Sequence, residues 1–253
     1  MTQEPLDLKR ICLFFDIDGT LVDLAPKPTD VVVDPNLLED LHLLAKRVNG
    51  ALALISGRPI PVIDELFHPM KFKAAGVHGA QLRLVEDGPM QVVSGPDLSK
   101  DLREDIAELA LHNPGVLVED KGVSIAVHYR AVPTAGEALH SAIETMLEES
   151  GDRSLGILSG KLVYEVKRLT HDKGTAVDTF MSRPPFKGRR PVFIGDDVTD
   201  LAAFSILPRY RGVAFAVGRD LRGVPRGFET AAQVREWIAN LTGRPTSSAE
   251  AAA

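Results

Sequence analysis

The sequence predicts an α/β fold, in which helices flank a parallel sheet and a smaller α+β unit is inserted into the chain. Three observations predict it. Short apolar runs alternate with helical segments early in the chain and again from residue 173. Between them, residues 97–168 follow the order helix, strand, strand, helix, strand, strand (αββαββ). Polar and acidic residues come directly after the apolar runs, where the strands of a parallel sheet end.

The first part of the core is predicted from apolar runs and one helix-start signal. Residues 11–15 are a continuous apolar run and read as a buried strand. A helix begins after Asp34, because an acid at the N-cap followed by Pro35 is a typical helix start. Further buried strands are predicted at 51–55 and 74–77, with a short helix between them. This order is that of a parallel sheet covered on both faces.

The inserted unit is predicted from two helices, each followed by a pair of strands. Leu102 and Ile106 lie on the apolar stripe of the first helix, and Leu139 and Ile143 lie on that of the second. The predicted strands are residues 116–118, 123–129, 155–158 and 162–166. Paired strands joined by short turns favour a mostly antiparallel sheet.

The strand and helix alternation resumes with a helix at 173–181. It continues with strands at 192–194 and 213–217 and a final helix with Thr230 as its N-cap. We therefore predict four segments: core residues 1–96, an inserted cap at 97–168, core residues 169–243, and a disordered tail at 244–253.

Composition excludes several classes of protein. The 253 residues are 44% hydrophobic and 25% charged, as in ordinary globular proteins. The net charge of −6, without a basic block, argues against nucleic-acid binding. No signal peptide or membrane-length apolar run is recognisable, so we expect a cytoplasmic protein with no membrane partner, and a monomer. The single cysteine, Cys12, excludes an intrachain disulfide and a cysteine-based zinc site.

Two carboxylates follow the first strand. Asp16 and Asp18 are two residues apart, so in an extended backbone their side chains lie on the same side. Crowded carboxylates repel each other unless a cation lies between them. Mg²⁺ takes hard oxygen ligands and keeps positions open for phosphate, so it is the cation expected here. Taken alone, the pair is equally compatible with a polar turn after a strand.

Further polar groups fall at other strand ends and at a helix start. Ser56 follows the second strand, Lys173 begins a helix, and Asp196, Asp197 and Asp200 follow a later strand. A cation must offset the acids, and the hydroxyl and the ammonium can then hold phosphate oxygens. This combination suits phosphoryl transfer, in which catalysis is mostly positioning and neutralisation of charge. It also offers a carboxylate as nucleophile.

The order of the motifs resembles that of the haloacid dehalogenase (HAD) superfamily of phosphatases. The motifs are Asp16-Ile17-Asp18-Gly19-Thr20, Ser56-Gly57-Arg58, Lys173-Gly174 and Gly195-Asp196-Asp197-Val198-Thr199-Asp200. Other stretches resemble one branch, the trehalose-6-phosphate phosphatases; they are Gly76-Val77-His78-Gly79-Ala80, Glu119-Asp120-Lys121-Gly122-Val123-Ser124 and His128-Tyr129-Arg130. The resemblance spans most of the chain. It implies a Rossmann-like HAD core with a mobile inserted cap, and hydrolysis of trehalose 6-phosphate.

The resemblance also implies roles in the chemistry. Asp16 would attack phosphorus as the nucleophile. Asp18 would protonate the departing sugar oxygen and then activate water. Mg²⁺ would be held by Asp16, by the backbone carbonyl of Asp18 and by Asp196, and Asp200 would support or join this metal shell. The role of Asp197 is left open.

The remaining implied roles concern the phosphate and the sugar. Ser56 and Lys173 would bind phosphoryl oxygens, and Thr20, also placed at the phosphate, would help orient Asp18. The residues that would contact the sugar are Arg58, His78, Glu119, Lys121, Arg130, Lys161 and Glu165. The alternative interpretation for those in the inserted unit is a solvated strand face, and for Arg58 and His78 a structural turn.

Two positions depart from the family pattern, and three alternatives remain open. Leu201 stands where another acid is usual, and Gln81 stands where glutamate is common. The first alternative is a phosphatase of the same architecture acting on another sugar phosphate, such as sucrose phosphate or mannosyl-phosphoglycerate. The second is a phospho-accepting signalling domain, although such domains lack a comparable insert. The third is a non-catalytic module that binds a sugar phosphate.

Overall fold

A computed structural model describes residues 7–25, 30–93, 97–160, 162–221 and 223–244. The chain divides into two compact units. The core unit comprises Met1–Gln91 and Asp172–Ala253, and the inserted unit comprises Val92–His171. Among the described residues, every helix is too short or too polar to cross a bilayer.

The predicted helices and strands occur in the predicted order, with three further short strands among them. The first part of the chain contains β1 (Ile11–Phe15), α1 (Pro35–Arg47), β2 (Leu52–Ile55), α2 (Ile60–Leu66), β3 (Ala74–Gly76), β4 (Gln81–Arg83) and β5 (Gln91–Val92). The inserted unit contains α3 (Lys100–Leu111), β6 (Leu117–Asp120), β7 (Ser124–His128), α4 (Gly136–Ser150), β8 (Leu155–Gly160) and β9 (Val163–Arg168). The last part contains α5 (Lys173–Met181), β10 (Arg190–Gly195), α6 (Leu201–Ile206), β11 (Val213–Val217), β12 (Arg226–Phe228) and α7 (Ala231–Thr242).

The large sheet has β1 near its centre. Its eight strands lie in the order β12-β11-β10-β1-β2-β3-β4-β5, and β1 pairs in parallel with both β10 and β2. Alternate residues of a strand point to opposite faces. The Phe14 ring lies 6.0 Å from that of Phe180 on α5, whereas the Phe15 ring lies 6.4 Å from that of Trp237 on α7. Helices therefore cover both faces of a mainly parallel sheet, which confirms the predicted core.

Three short strands were not predicted: β4, β5 and β12. β4 runs antiparallel to β3 after a 3₁₀ turn, and it buries two polar side chains, Gln81 and Arg83. Their polar atoms have partners, since Gln81 accepts from the Ile60 amide at 2.8 Å and Arg83 pairs with Asp64 at 2.7 Å. A two- or three-residue strand is too short to show periodicity. Val77, predicted to end β3, begins the 3₁₀ turn instead.

The inserted unit is an antiparallel sheet, as predicted, and its helices lie on one face of that sheet. Its strand order is β6-β7-β9-β8. Ile125, Val127 and Val166 point from the sheet into an apolar cluster with α3 and α4. Strand neighbours alternate between the two faces, so the polar residues between these apolar positions lie on the opposite face. Glu119 and Glu165 both pair in register with Ala126 of β7, so they share this polar face.

We expect substitution of Phe14 to destabilise the core unit. Its side chain is fully buried among aromatic rings, and Phe14→Ala should lower the free energy of unfolding by about 3–5 kcal/mol. The chain has one tryptophan, Trp237, which lies in the core unit, so its fluorescence in urea reports unfolding of that unit. Val32→Ala is the control, because Val32 is 83% exposed and should change stability by less than about 0.5 kcal/mol. Equal urea midpoints for the two variants would contradict this packing.

Candidate active site

Three carboxylates meet at the carboxyl ends of β1 and β10. Asp16 follows β1, and its amide donates to the carbonyl of Ile194 in β10 at 2.9 Å. Asp196 follows β10, and Asp200 ends the 3₁₀ turn that comes next. One oxygen from each of these three acids lies within 4.8 Å of the others. The parallel pairing of two strands thus brings together residues that are 180 or more positions apart in the chain.

A buried ammonium joins two of these acids. Lys173 Nζ donates to Asp16 Oδ1 at 2.7 Å and to Asp200 Oδ1 at 2.6 Å. Lys173 is the first residue of α5, whose N-cap Asp172 accepts from the Thr175 amide at 2.7 Å. Burial acts to lower the pKa of Lys173, but the charges of Asp16 and Asp200 outweigh it and hold the pKa above its usual value. The lysine is therefore a permanent cation in this site.

The acids outnumber that cation. Burial is the largest cause of the raised pKa of Asp16; Lys173 opposes it, while Asp200 and Asp196 add to it. Burial, followed by the charge of Asp200, raises the pKa of Asp196 to about 6. Asp196 Oδ1 is buried and has no hydrogen-bond partner among the described residues. Three carboxylates facing one ammonium leave a negative charge that a hard cation would offset.

Gly19 allows the turn after β1 to approach Asp196. Its φ is +81°, and a Cβ at this position would lie 2.2 Å from Asp196 Oδ2. Any other residue would be strained in this conformation and would collide with the carboxylate. The glycine of the first motif is thus required by the proximity of the two acidic loops.

The side chain of Asp18 faces Arg58. Arg58 donates from Nε and Nη2 to the two oxygens of the Asp18 carboxylate, each at 2.7 Å. A paired contact of this kind fixes the carboxylate in both position and plane. The structure therefore joins the first and second motifs through their side chains, which the sequence did not indicate.

The second motif and the loop after β3 lie side by side. Ser56 is buried and its Oγ accepts from the Arg58 amide at 3.1 Å. The His78 amide donates to the Ser56 carbonyl at 3.0 Å, and a Cβ on Gly57 would lie 2.6 Å from His78 Nε2. The Thr20 hydroxyl is buried without a hydrogen-bond partner in the described part of the chain. This hydroxyl belongs to the first motif; it makes no hydrogen bond with Asp18, which it was expected to orient, and it is available to a ligand.

Asp197 and Asp200, which the sequence left unresolved, have different surroundings. Asp200 is fully buried against Lys173, and its other oxygen accepts from the Asp197 amide at 3.0 Å. The Asp197 carboxylate accepts from Arg219 Nη2 at 2.8 Å. Arg219 also lies 3.3 Å from the Asp196 carbonyl oxygen. No motif marks this arginine, which comes after β11, so sequence reasoning missed it.

Polar residues of the inserted unit form one ion pair and one hydrogen-bonded pair. Lys121 Nζ lies 3.2 Å from Glu165 Oε2, and Glu119 Oε2 lies 3.1 Å from the Nε2 atom of His128. The hydrogen bond with His128 is the largest cause that lowers the pKa of Glu119. Arg130 is exposed after β7, and Lys161 lies outside the described residues. Three of the predicted sugar contacts thus share one face of the sheet, together with His128, which had no assigned role.

Comparison with known proteins identifies the family. Residues 14–227 match the family model described as trehalose-phosphatase. A probable trehalose-phosphate phosphatase of Sinorhizobium fredii is 40% identical over 212 residues, which cover 84% of this chain and 79% of that protein. The trehalose-6-phosphate phosphatase of Escherichia coli K12 is 36% identical over 243 residues, which cover 96% and 90%. The C-terminal domain of a Candida albicans trehalose-6-phosphate phosphatase has a similar structure, with a TM-score of 0.82, 20% identity and 94% of each chain covered. The resemblance noted in the motifs is confirmed, and the chain belongs to the trehalose-phosphatase family of phosphoric monoester hydrolases.

Proposed function

We propose that this protein hydrolyses trehalose 6-phosphate to trehalose and inorganic phosphate, with Mg²⁺ bound and through an aspartyl-phosphate on Asp16. The observation that carries the proposal is the cluster of Asp16, Asp196, Asp200 and Lys173 at the carboxyl ends of β1 and β10. It lies in a chain whose relatives are named as phosphatases of this substrate.

The three acids of the cluster suit a magnesium ion. Asp16, Asp196 and Asp200 would hold it together with the backbone carbonyl of Asp18. The fit rests on the unpartnered, buried oxygen of Asp196 and on the surplus of carboxylates over ammonium groups. When bound, Mg²⁺ would offset the acids and withdraw charge from the phosphoryl group.

Asp16 is the proposed nucleophile. Lys173 holds one of its oxygens at 2.7 Å and so fixes the orientation of the carboxylate. Asp16 attacks phosphorus, and the bond from phosphorus to the sugar oxygen breaks. Asp18, in its protonated form, gives its proton to that oxygen, so trehalose leaves as a neutral alcohol. Asp18 then takes a proton from water, which attacks phosphorus and releases phosphate and free Asp16.

The proposed phosphate contacts are Ser56, Lys173 and Thr20. Ser56 and Thr20 are buried hydroxyls, and Lys173 is a buried cation, so the three offer hydrogen-bond donors to phosphoryl oxygens. Arg58 fixes the direction of the Asp18 carboxylate from the second motif.

The polar face of the inserted unit is the proposed source of sugar contacts. Glu119, Lys121 and Glu165 offer acceptors and donors that match the hydroxyls of a disaccharide. Arg58, His78, Arg130 and Lys161 complete the proposed set of sugar contacts.

Asp16→Asn should abolish phosphate release. The amide keeps the shape of the carboxylate but is not a nucleophile, so we expect a loss of kcat of at least about 10³-fold. Release of phosphate from trehalose 6-phosphate with Mg²⁺ is the measurement, and thermal unfolding checks the fold. Asp23→Asn serves as the control, because Asp23 is exposed and pairs with Arg235. Activity of Asp16→Asn close to that of the control would exclude the aspartyl-phosphate.

Asp196→Asn should weaken metal binding, whereas Asp197→Asn should not. A metal held by the folded state at 100 times its Kd raises the free energy of unfolding by about 2.7 kcal/mol. We expect the wild type and Asp197→Asn to show a Mg²⁺-dependent rise in Tm that Asp196→Asn lacks, because only Asp196 belongs to the acid cluster. The measurement is Tm against Mg²⁺ concentration without substrate. If Asp196→Asn shows the Mg²⁺-dependent rise in Tm and Asp197→Asn lacks it, the metal is held by Asp197 and not by Asp196.

A substrate panel tests the proposed sugar specificity. The wild type should prefer trehalose 6-phosphate to sucrose 6-phosphate, glucose 6-phosphate and a small aryl phosphate. Glu119→Ala should raise KM for trehalose 6-phosphate by about tenfold, as expected for a lost charged hydrogen bond, and leave KM for the aryl phosphate unchanged. Equal changes in KM for both substrates would mean that the polar face does not contact the sugar and is only a solvated surface. A preference of the wild type for another sugar phosphate would favour a phosphatase with a different substrate.

A further inference from the structure

Two residues of β7 direct hydrogen-bond donors at carboxylates on the neighbouring strands. β7 lies between β6 and β9 in the sheet. Ser124 and His128 are four residues apart on β7, so they lie on the same face. That face is the polar one, since the intervening residue Ala126 pairs in register with Glu119 on β6 and with Glu165 on β9.

His128 holds Glu119. Its Nε2 atom lies 3.1 Å from Glu119 Oε2. A carboxylate can only accept, so Nε2 carries the hydrogen in this contact. The hydrogen bond from His128 lowers the pKa of Glu119 and favours its ionised form. The other Glu119 oxygen then remains as an acceptor for a hydroxyl group.

Ser124 holds Glu165 on the other side of β7. Ser124 is fully buried, and its Oγ donates to Glu165 Oε1 at 2.7 Å. Lys121 Nζ donates to Glu165 Oε2 at 3.2 Å. Both Glu165 oxygens therefore have fixed donors, and Glu165 in turn fixes the ammonium of Lys121. Neighbouring strands are about 4.8 Å apart, so the backbones of Glu119 and Glu165 stand about 10 Å from each other across Ala126.

We propose that His128 and Ser124 are positioning residues for substrate recognition, which hold the side chains of Glu119, Glu165 and Lys121 in the orientation that receives the sugar hydroxyls. This inference rests on the proposed function, in which Glu119, Lys121 and Glu165 contact the sugar. Side chains that are oriented before binding lose less conformational freedom when substrate arrives. Their loss should therefore raise KM for the sugar phosphate and leave the chemistry at Asp16 unchanged.

The test compares two substitutions of His128. His128→Leu removes the donor, whereas His128→Gln keeps an N–H donor near the same place. We expect His128→Leu to raise KM for trehalose 6-phosphate about five- to tenfold, with kcat within about twofold of the wild-type value. We expect KM of His128→Gln to lie close to that of the wild type. KM for a small aryl phosphate should not change in either variant. His112→Leu is the control, because His112 is exposed at the end of α3.

A double-mutant cycle shows whether His128 acts through Glu119. In a Glu119→Ala background, His128→Leu should have no further effect on KM, because the side chain it orients is gone. The same factor in both backgrounds, or equal losses on both substrates, would overturn the inference and assign His128 a structural role.

Ser124→Ala gives an independent variant if His128→Leu fails to fold, since it removes a single oxygen. It should raise KM for trehalose 6-phosphate in the presence of Glu165 but not after Glu165→Ala. The proposed sugar contacts and the proposed positioning role are overturned by different results. If Glu119→Ala and Glu165→Ala leave sugar selectivity unchanged, the proposed sugar contacts fail and this inference fails with them. If Glu119→Ala and Glu165→Ala lose sugar selectivity while His128→Leu and Ser124→Ala retain it, only the positioning role is overturned.

Discussion

The buried ammonium of Lys173, held between Asp16 and Asp200, is the interaction on which the core site depends. Removal of charges from water costs several kcal/mol for each ion, and only close partners offset that cost. Lys173 has such partners at 2.7 and 2.6 Å. They come from the ends of two parallel strands, and the lysine comes from the first turn of α5. The sheet register and the charge balance therefore require each other, because a shift of β10 against β1 would leave a buried ion unpaired.

The fourth charged group, Asp196, adds a third carboxylate to a cluster that has one ammonium. Its pKa rises from 3.8 to about 6, mainly through burial. For a carboxyl whose pKa is higher in the folded state, the contribution to stability falls as the pH rises through that range. At neutral pH the ionised Asp196 thus works against folding until a cation is bound. Gly19 keeps the first motif close to this carboxylate, so a cation bound as we propose would offset that cost at a defined place.

The sequence was informative where one strand end or one helix start determined the position of a side chain. Asp16, Ser56, Asp196 and Lys173 were located by apolar runs and turn signals, because parallel strands end at a common edge. Pairings between side chains distant in the chain left no such signal. The contacts of Arg58 with Asp18 and of Arg219 with Asp197 depend on rotamers and loop paths that no local pattern specifies. Short polar strands such as β4 were missed for a related reason, since burial of Gln81 and Arg83 depends on partners elsewhere in the fold.

Under the proposed function, the two units would divide the requirements of the reaction. Phosphoryl transfer needs fixed charges, and the core unit supplies them from buried residues whose partners leave little freedom. Recognition of a disaccharide needs several hydrogen bonds with defined directions, and a flat sheet face offers long side chains that must first be oriented. On β7, residues 124 and 128 hold the carboxylates of both neighbouring strands, while Ala126 between them is small. Under this proposal, a strand that orients its neighbours in this way would adapt to a different sugar by a few substitutions, without any change to the acids proposed to carry out the chemistry.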